Sequence, residues 1–145
     1  MVIPTINNSN NDLPSYETHG AAGMDLRAYL PNSSVVINSM ERKLINTGIK
    51  MEIPKGYEGQ IRPRSGLALK SGITVLNTPG TIDSDFRGEI QILLINLSQE
   101  PFTVNNGDRI AQIVFSKYES ATLSLSNQLS DSKRGDQGYG HTGIN

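Results

Sequence analysis

Between residues 24 and 118 the chain is cut at short intervals by turn-forming clusters: Pro31-Asn32, Asn46-Thr47-Gly48, Pro54-Lys55-Gly56, Pro79-Gly80 and Asn105-Asn106-Gly107-Asp108. Val, Ile and Leu fill the segments between them. Breaks this frequent leave room for short strands and almost none for helices, so the spacing predicts an all-β sandwich or barrel. The expected strands are Met24–Tyr29, Ser34–Ile37, Lys43–Ile53, Tyr57–Arg62, Ile73–Leu76, Glu89–Leu97 and Arg109–Tyr118. In "KLINTGIKMEI" the apolar Ile49, Met51 and Ile53 alternate with Lys50 and Glu52, the pattern of one buried face. From Ile92 to Ile95 the alternation stops, which points to cover on both faces, by the sandwich interior or by a second subunit. The one candidate helix is a short turn in "SGLALKSG", with Ser65 placed to cap it and Gly72 to end it.

At 145 residues the chain suits one domain with a real core. Its 36% hydrophobic content is modest for a single sealed globule and favours surfaces shared between subunits. The net charge of −1 provides no broad basic field, which argues against general nucleic-acid binding. The absence of cysteine excludes disulfides, thiolate metal sites and a Cys nucleophile. "MVIPTINNSNNDLP" lacks the basic and apolar regions of a signal peptide, and no apolar run approaches the roughly 18 residues of a membrane span. A cytoplasmic protein with no membrane partner is expected. Residues 131–145, "DSKRGDQGYGHTGIN", hold four glycines and little to bury, so the expected division is a β domain over 1–130 and a flexible arm over 131–145. The arm reads either as a frayed tail or as a lid, with Arg134 and Thr142 gripping an anion and Tyr139 stacking on a ring.

Four further segments carry chemistry. "GTIDSDFRGEIQILLINL" places Asp83 and Asp85 directly ahead of an apolar strand. Asp-Ser-Asp is ordinary turn chemistry, and it is equally a place for a working carboxylate. Period-2 geometry would pair Asp85 with Arg87. "PRSGLALK" sets Arg64 and Ser65 at the start of the helical turn, where backbone N–H groups, a guanidinium and a hydroxyl suit a phosphate; a plain Ser cap beside a solvated Arg is the alternative. "AAGMDLRAY" puts Asp25 and Arg27 on one side of a strand, as a half-exposed ion pair or with Asp25 helping to hold a hydrated divalent cation. "GDRIAQIVF" buries Gln112 among apolar neighbours, or leaves it solvated or paired with backbone.

Taken in order, AAGMDLRA, PRSGLALK, GTIDSDFRGEI, GDRIAQIVF and RGDQGYGHTG resemble the five sequence motifs of the trimeric dUTP pyrophosphatase (dUTPase) family across residues 21–143. The resemblance implies a jelly-roll-like β-clip fold and a homotrimer whose active sites each draw on three chains, with the C-terminal arm closing over a neighbour's site. It implies hydrolysis of dUTP to dUMP and pyrophosphate, keeping uracil out of DNA and supplying dUMP for dTMP synthesis. Asp83 would be the general base that deprotonates the water attacking the α-phosphorus, with Gln112 at the α-phosphate or that water. Mg²⁺ would bridge the triphosphate oxygens, and Asp25 would assist through a metal-bound water. Arg64, Ser65 and Gly66 would hold the phosphate chain. Arg134, His141 and Thr142 of the exchanged arm would bind its γ end, and Gly140 beside them is also implied as substrate-binding.

Uracil would sit in a β-hairpin around residues 75–86, met by backbone groups and the Asn77 amide. Gly80, Thr81, Ile82 and Gln91 are also implied as substrate-binding. Uracil offers a donor at N3 and an acceptor at O4 where cytosine offers the reverse, and each mismatched buried polar group costs about 1–3 kcal/mol. Phe86 would pack beneath the deoxyribose, leaving no room for a 2′-hydroxyl, and Tyr139 would stack over the base. Three positions depart from the family pattern: Phe86 stands where Tyr is usual, Gln137 replaces an arm glycine, and Tyr139 replaces the common Phe. Two rival readings are weighed. A dCTP deaminase would need a glutamate near the base, which "ITVLNTPGTIDSDF" lacks; a non-catalytic β-sandwich binding protein would have no use for Asp83, Arg64 and Ser65 together.

Overall fold

The computed structural model describes residues 1–139. Eleven strands and one helix follow in order: β1 Thr5–Asn7, β2 Met24–Arg27, β3 Ser34–Ile37, β4 Arg42–Asn46, β5 Ile49–Met51, β6 Tyr57–Arg62, α1 Ser65–Ser71, β7 Ile73–Val75, β8 Gly80–Ile82, β9 Gln91–Asn96, β10 Phe102–Asn105 and β11 Arg109–Lys117. They form an all-β, jelly-roll-like body of small sheets in which every pairing is antiparallel. The largest sheet runs β2-β11-β6-β8, a second runs β4-β9-β7, and β1-β5 and β10-β3 are two-stranded. Among the described residues no helix is long and apolar enough to cross a membrane.

The inward faces of these sheets meet in one core that includes Leu26, Ile45, Ile61, Ile92, Leu94, Val104 and Ile113, each 3% exposed or less. Alternation in the sequence is what aims them. Ile49, Met51 and Ile53 are buried as expected, while Glu52 is exposed and Lys50 half-buried. On β9 the expectation of two covered faces needs correction for the single chain: Ile92 and Leu94 enter the core, but Leu93 and Ile95 stay half-buried. The expected strand 43–53 is broken in two. Thr47 turns inward, its hydroxyl donating to Ile90 O at 2.6 Å, and Gly48 takes φ 72 where any Cβ would lie 2.8 Å from Ser9 N. Only glycine enters that left-handed corner without strain.

At the helix the sequence reading was right about the end and wrong about the start. Gly72 closes α1 in the left-handed conformation, its N–H reaching Ala68 O. Ser65, expected as the cap, is instead the first helical residue. Arg64 occupies the N-cap position in extended conformation, with no side-chain cap bond. The helix thus begins one residue earlier than a serine cap would place it, and the Arg64 side chain is directed to Asp25 and the Arg109 carbonyl rather than to the helix end.

Candidate active site

The β2-β11-β6-β8 sheet carries most of the chemistry-bearing segments. Gln112 on β11 lies across from Asp25 on β2 and from Arg62 on β6, so two segments distant in sequence become neighbours. Beyond Arg62 the chain turns through Pro63 and delivers Arg64 to the same end of the sheet. There the Asp25 carboxylate accepts from two guanidinium groups, Arg64 Nε at 2.9 Å on one oxygen and Arg109 Nη1 at 3.2 Å on the other. Arg64 Nη1 also donates to Arg109 O at 3.1 Å, and Arg109 Nη1 lies 3.2 Å from Glu17 Oε1. Asp25 is the least exposed member, its side chain 18% accessible against 32% for Arg64 and 35% for Arg109. The Gln112 amide completes the group by donating to Pro63 O at 2.9 Å.

The expected Asp25–Arg27 pair does not form. Arg27 donates to Gly107 O at 2.8 Å instead. Its cross-strand partner is Arg109, and the two like charges part, one taking the carboxylate and the other a backbone carbonyl. Gln112 is half-buried and paired with backbone, the more ordinary of the two sequence readings. Arg109, Glu17 and the Pro63 carbonyl were not singled out beforehand. Arg109 was within reach, since it lies in the same "GDRIAQIVF" segment that drew attention to Gln112.

The expected hairpin around residues 75–86 does not form, because β7 pairs with β9 and β8 with β6 in separate sheets; the loop between β7 and β8 instead gathers a second group. Asn77 is exposed at its tip, and a Cβ on the buried Gly80 would lie 3.2 Å from Asn77 Nδ2, so amide and backbone sit side by side. Thr81 is exposed and Ile82 half-buried. The chain then folds into a turn closed by Phe86 N–H donating to Asp83 O at 3.2 Å, which leaves the Asp83 side chain exposed. Asp83 borders an open cleft of about 790 Å³ together with Glu52, Lys55, Asp85 and Arg87. The expected Asp85–Arg87 pair is also absent: Arg87 donates to Ser84 O at 2.7 Å and Phe86 O at 3.0 Å and approaches Glu52 at 3.4 Å. The turn ends the strand before Asp85, so period-2 geometry no longer applies. Phe86, 41% exposed, lays its ring against Gly88.

The two groups are well apart within one chain. Ile82 lies across from Gly59, and Gly59 across from Phe115. Asp83 is therefore two strand spacings from β11 and level with a point four residues along from Gln112, a Cα separation of roughly 16 Å. Ser65 and Gly66 are exposed at the start of α1, on the Arg64 side. Gln91 joins neither group, because its amide donates to Asn46 Oδ1 at 2.7 Å in the three-stranded sheet. Beyond β11, residues 118–139 hold neither helix nor strand. Arg134 donates to Gln137 O at 2.9 Å across a turn, and Tyr139 is fully exposed. Gly140, His141 and Thr142 lie outside the described residues.

Among the described residues no group of three His, Cys, Asp or Glu side chains could ligate a metal ion. Asp25, with an arginine on each oxygen, retains free lone pairs for a water but is poorly placed to grip a bare cation. Such a donor set fits an ion that arrives on phosphate oxygens and keeps its waters.

Comparison with known proteins agrees with this fold. The dUTPase family model matches residues 9–143. The deoxyuridine 5'-triphosphate nucleotidohydrolase of Finegoldia magna is 53% identical over 99% of both chains, and that of Cytophaga hutchinsonii 55% identical over 97% of this chain and 91% of its own. Among solved structures, a variant dUTPase of Staphylococcus bacteriophage 80alpha with dUpNHpp superposes with a TM-score of 0.86 at 23% identity, covering 99% of both chains. A variant dUTPase from phage phi11 of S. aureus, described with a structural Mg(II) ion, gives 0.80 at 21% identity, covering 90% of this chain and all of its own. With a family match over nearly all its length and relatives above half identity, the chain belongs to the dUTPase family.

Proposed function

We propose that this chain hydrolyses dUTP to dUMP and pyrophosphate, limiting the uracil available to DNA and providing dUMP. The observation that carries the reading is identity of more than half with nucleotidohydrolases that this chain covers over 91% or more of their length. On this reading Asp83 takes a proton from water as its oxygen bonds to the α-phosphorus. The bond from that phosphorus to the bridging oxygen breaks, and pyrophosphate departs with the electron pair. The exposure of Asp83 lets a water reach it. Arg64, Ser65, Gly66 and Gln112 orient the phosphates, Asn77 with Gly80, Thr81 and Ile82 receives uracil, and Phe86 underlies the sugar. Mg²⁺ arriving with the triphosphate would supply charge compensation there, and Asp25 would be the residue to assist it through a water.

The working unit on this reading is a homotrimer. Asp83 and Gln112 have to flank one phosphorus, yet roughly 16 Å separates them within a chain, so they serve a common site only when contributed by different copies. Apolar surface left in water supports the same assembly: Leu44 and Leu97 are each 56% exposed, and Leu123, Leu125 and Leu129 on the segment leading to the arm are at least 84% exposed. The arm, residues 131–145, then places Arg134, Tyr139, Gly140, His141 and Thr142 over a neighbour's nucleotide, while the β domain before it supplies the rest.

The test is to incubate the purified protein with dUTP, dCTP or dTTP and Mg²⁺ and to separate the products by chromatography. We expect dUMP from dUTP alone. Intact dUTP, or dUTP appearing from dCTP, overturns the reading.

A further inference from the structure

Gln112 is held at both ends, and only one hold is a hydrogen bond. Its Nε2 donates to Pro63 O at 2.9 Å, which fixes which end of the amide is nitrogen. Its other end, Oε1, rests directly over the α-carbon of Gly23, one residue ahead of β2. A Cβ built on Gly23 would overlap Oε1, stand 3.1 Å from Cδ and 3.4 Å from Val114 Cγ2. Carbon atoms in ordinary contact sit about 3.5–4.0 Å apart, so no side chain at residue 23 leaves the amide where it is. The backbone does not itself require glycine there, because Gly23 is absent from the positive-φ residues. What the missing side chain provides is space, and the occupant of that space is the Gln112 amide.

We infer that Gly23 is a positioning residue for Gln112: its bare α-carbon forms the slot that, together with the Pro63 carbonyl, holds the amide in one orientation. The held amide keeps one N–H free to meet a phosphate oxygen or the attacking water. The inference rests on the proposed reading of Gln112 as a substrate-facing residue. The atoms a Cβ would meet are the far end of a flexible side chain, so an added methyl shifts the amide while the strand pairing stays in place. A displacement of about 1 Å at such a group lowers turnover by up to about 10²-fold.

The experiment compares Gly23→Ala, Gln112→Ala and the double variant in the full chain, with dUTP and Mg²⁺, recording kcat, KM and melting temperature. Expected is a drop in kcat of about 10- to 100-fold for Gly23→Ala, with KM changed less than about threefold and melting nearly unchanged. In the double variant the methyl has no amide to displace, so it is no slower than Gln112→Ala alone. Should Gly23→Ala fail to fold while the double variant folds, the collision with the amide is upheld as the cause. Unchanged kcat in Gly23→Ala, a full further loss in the double variant, or failure of both to fold overturns the inference while leaving the role of Gln112 standing. A fully active Gln112→Ala removes that role and the inference with it.

Discussion

Two inactive variants of this chain should restore each other when they assemble together. Asp83→Asn removes the proposed base, expected to lower kcat by about 10²–10⁴-fold, and Gln112→Ala removes a group proposed to meet the phosphates. In one chain these residues lie roughly 16 Å apart, two strands sideways and four residues along, on side chains that stand off the sheet and do not close the gap. On the proposed reading a site therefore takes the Asp83 segment of one copy and the Gln112 group of the next, in a fixed rotational sense. In a closed threefold ring holding both variants, whichever is in the majority, one boundary in three joins an intact Asp83 to an intact Gln112. Co-expression with two different affinity tags, followed by tandem purification, isolates the mixed assemblies. Their specific activity towards dUTP should be about one-third of that of the unaltered protein, far above either variant alone. Mixed assemblies no more active than the parents would place the whole site within one chain and refute the sheet argument.

Asp25→Asn should lower kcat/KM by about 10- to 100-fold, the effect of losing one charge-assisted hydrogen bond of about 1.5–3 kcal/mol to Arg64 or Arg109. Raising Mg²⁺ should restore little of it, and full rescue by Mg²⁺ would show that the contact with a metal-bound water, and not the placing of the two arginines, accounts for the loss. Deleting the chain from Arg134 onward should leave a folded oligomer by sedimentation, with kcat down by about 10²-fold; an unchanged rate would refute the lid. Asn96→Leu tests the fold. Fully buried, Asn96 donates to Ile37 O and Glu100 O and accepts from Ser98 N and Oγ, so its loss should cost about 3–5 kcal/mol and lower the melting temperature by about 10 °C in a calorimeter.

What could be read from the sequence was whatever repeats or punctuates. Turn residues marked the ends of β3, β6 and β9 within two residues, because Gly, Pro and Asn act through their own backbone geometry. Strands of three or four residues such as β1 and β10 gave too few positions for alternation to register. The ion pairs failed for a different reason. Asp25 with Arg27 and Asp85 with Arg87 were matched by local spacing, but a charge is satisfied by whatever the fold brings near. For Asp25 that was Arg64, 39 residues on, and Arg109, 84 residues on. The site residues were legible only through the five motifs taken together, since neither Gln112 nor Asn77 announces itself by type. Gly23 was passed over inside its own motif, because a glycine that makes room for a distant side chain looks the same as one that turns the chain.

The charges around Asp25 bear on how the proposed site handles a triphosphate. Arg64 and Arg109 are drawn together by one carboxylate and flanked by another, Glu17, so these four groups sum to zero. Two guanidinium groups that share one carboxylate repel each other, and Asp25 offsets that repulsion before any ligand arrives. The cluster is thus set in advance, which is what stabilising a transition state requires, but it has no surplus positive charge with which to neutralise a polyanion. On the proposed reading the neutralising charge comes from Mg²⁺ on the nucleotide, from Arg134 of the arm and from guanidinium groups outside these four, such as Arg27, which among the described residues meets only a backbone carbonyl. The division has a kinetic logic. A neutral, rigid cluster holds free phosphate and pyrophosphate weakly, so product leaves readily, while a nucleotide that brings its own cation and draws the arm over itself completes the site only for as long as the reaction needs it.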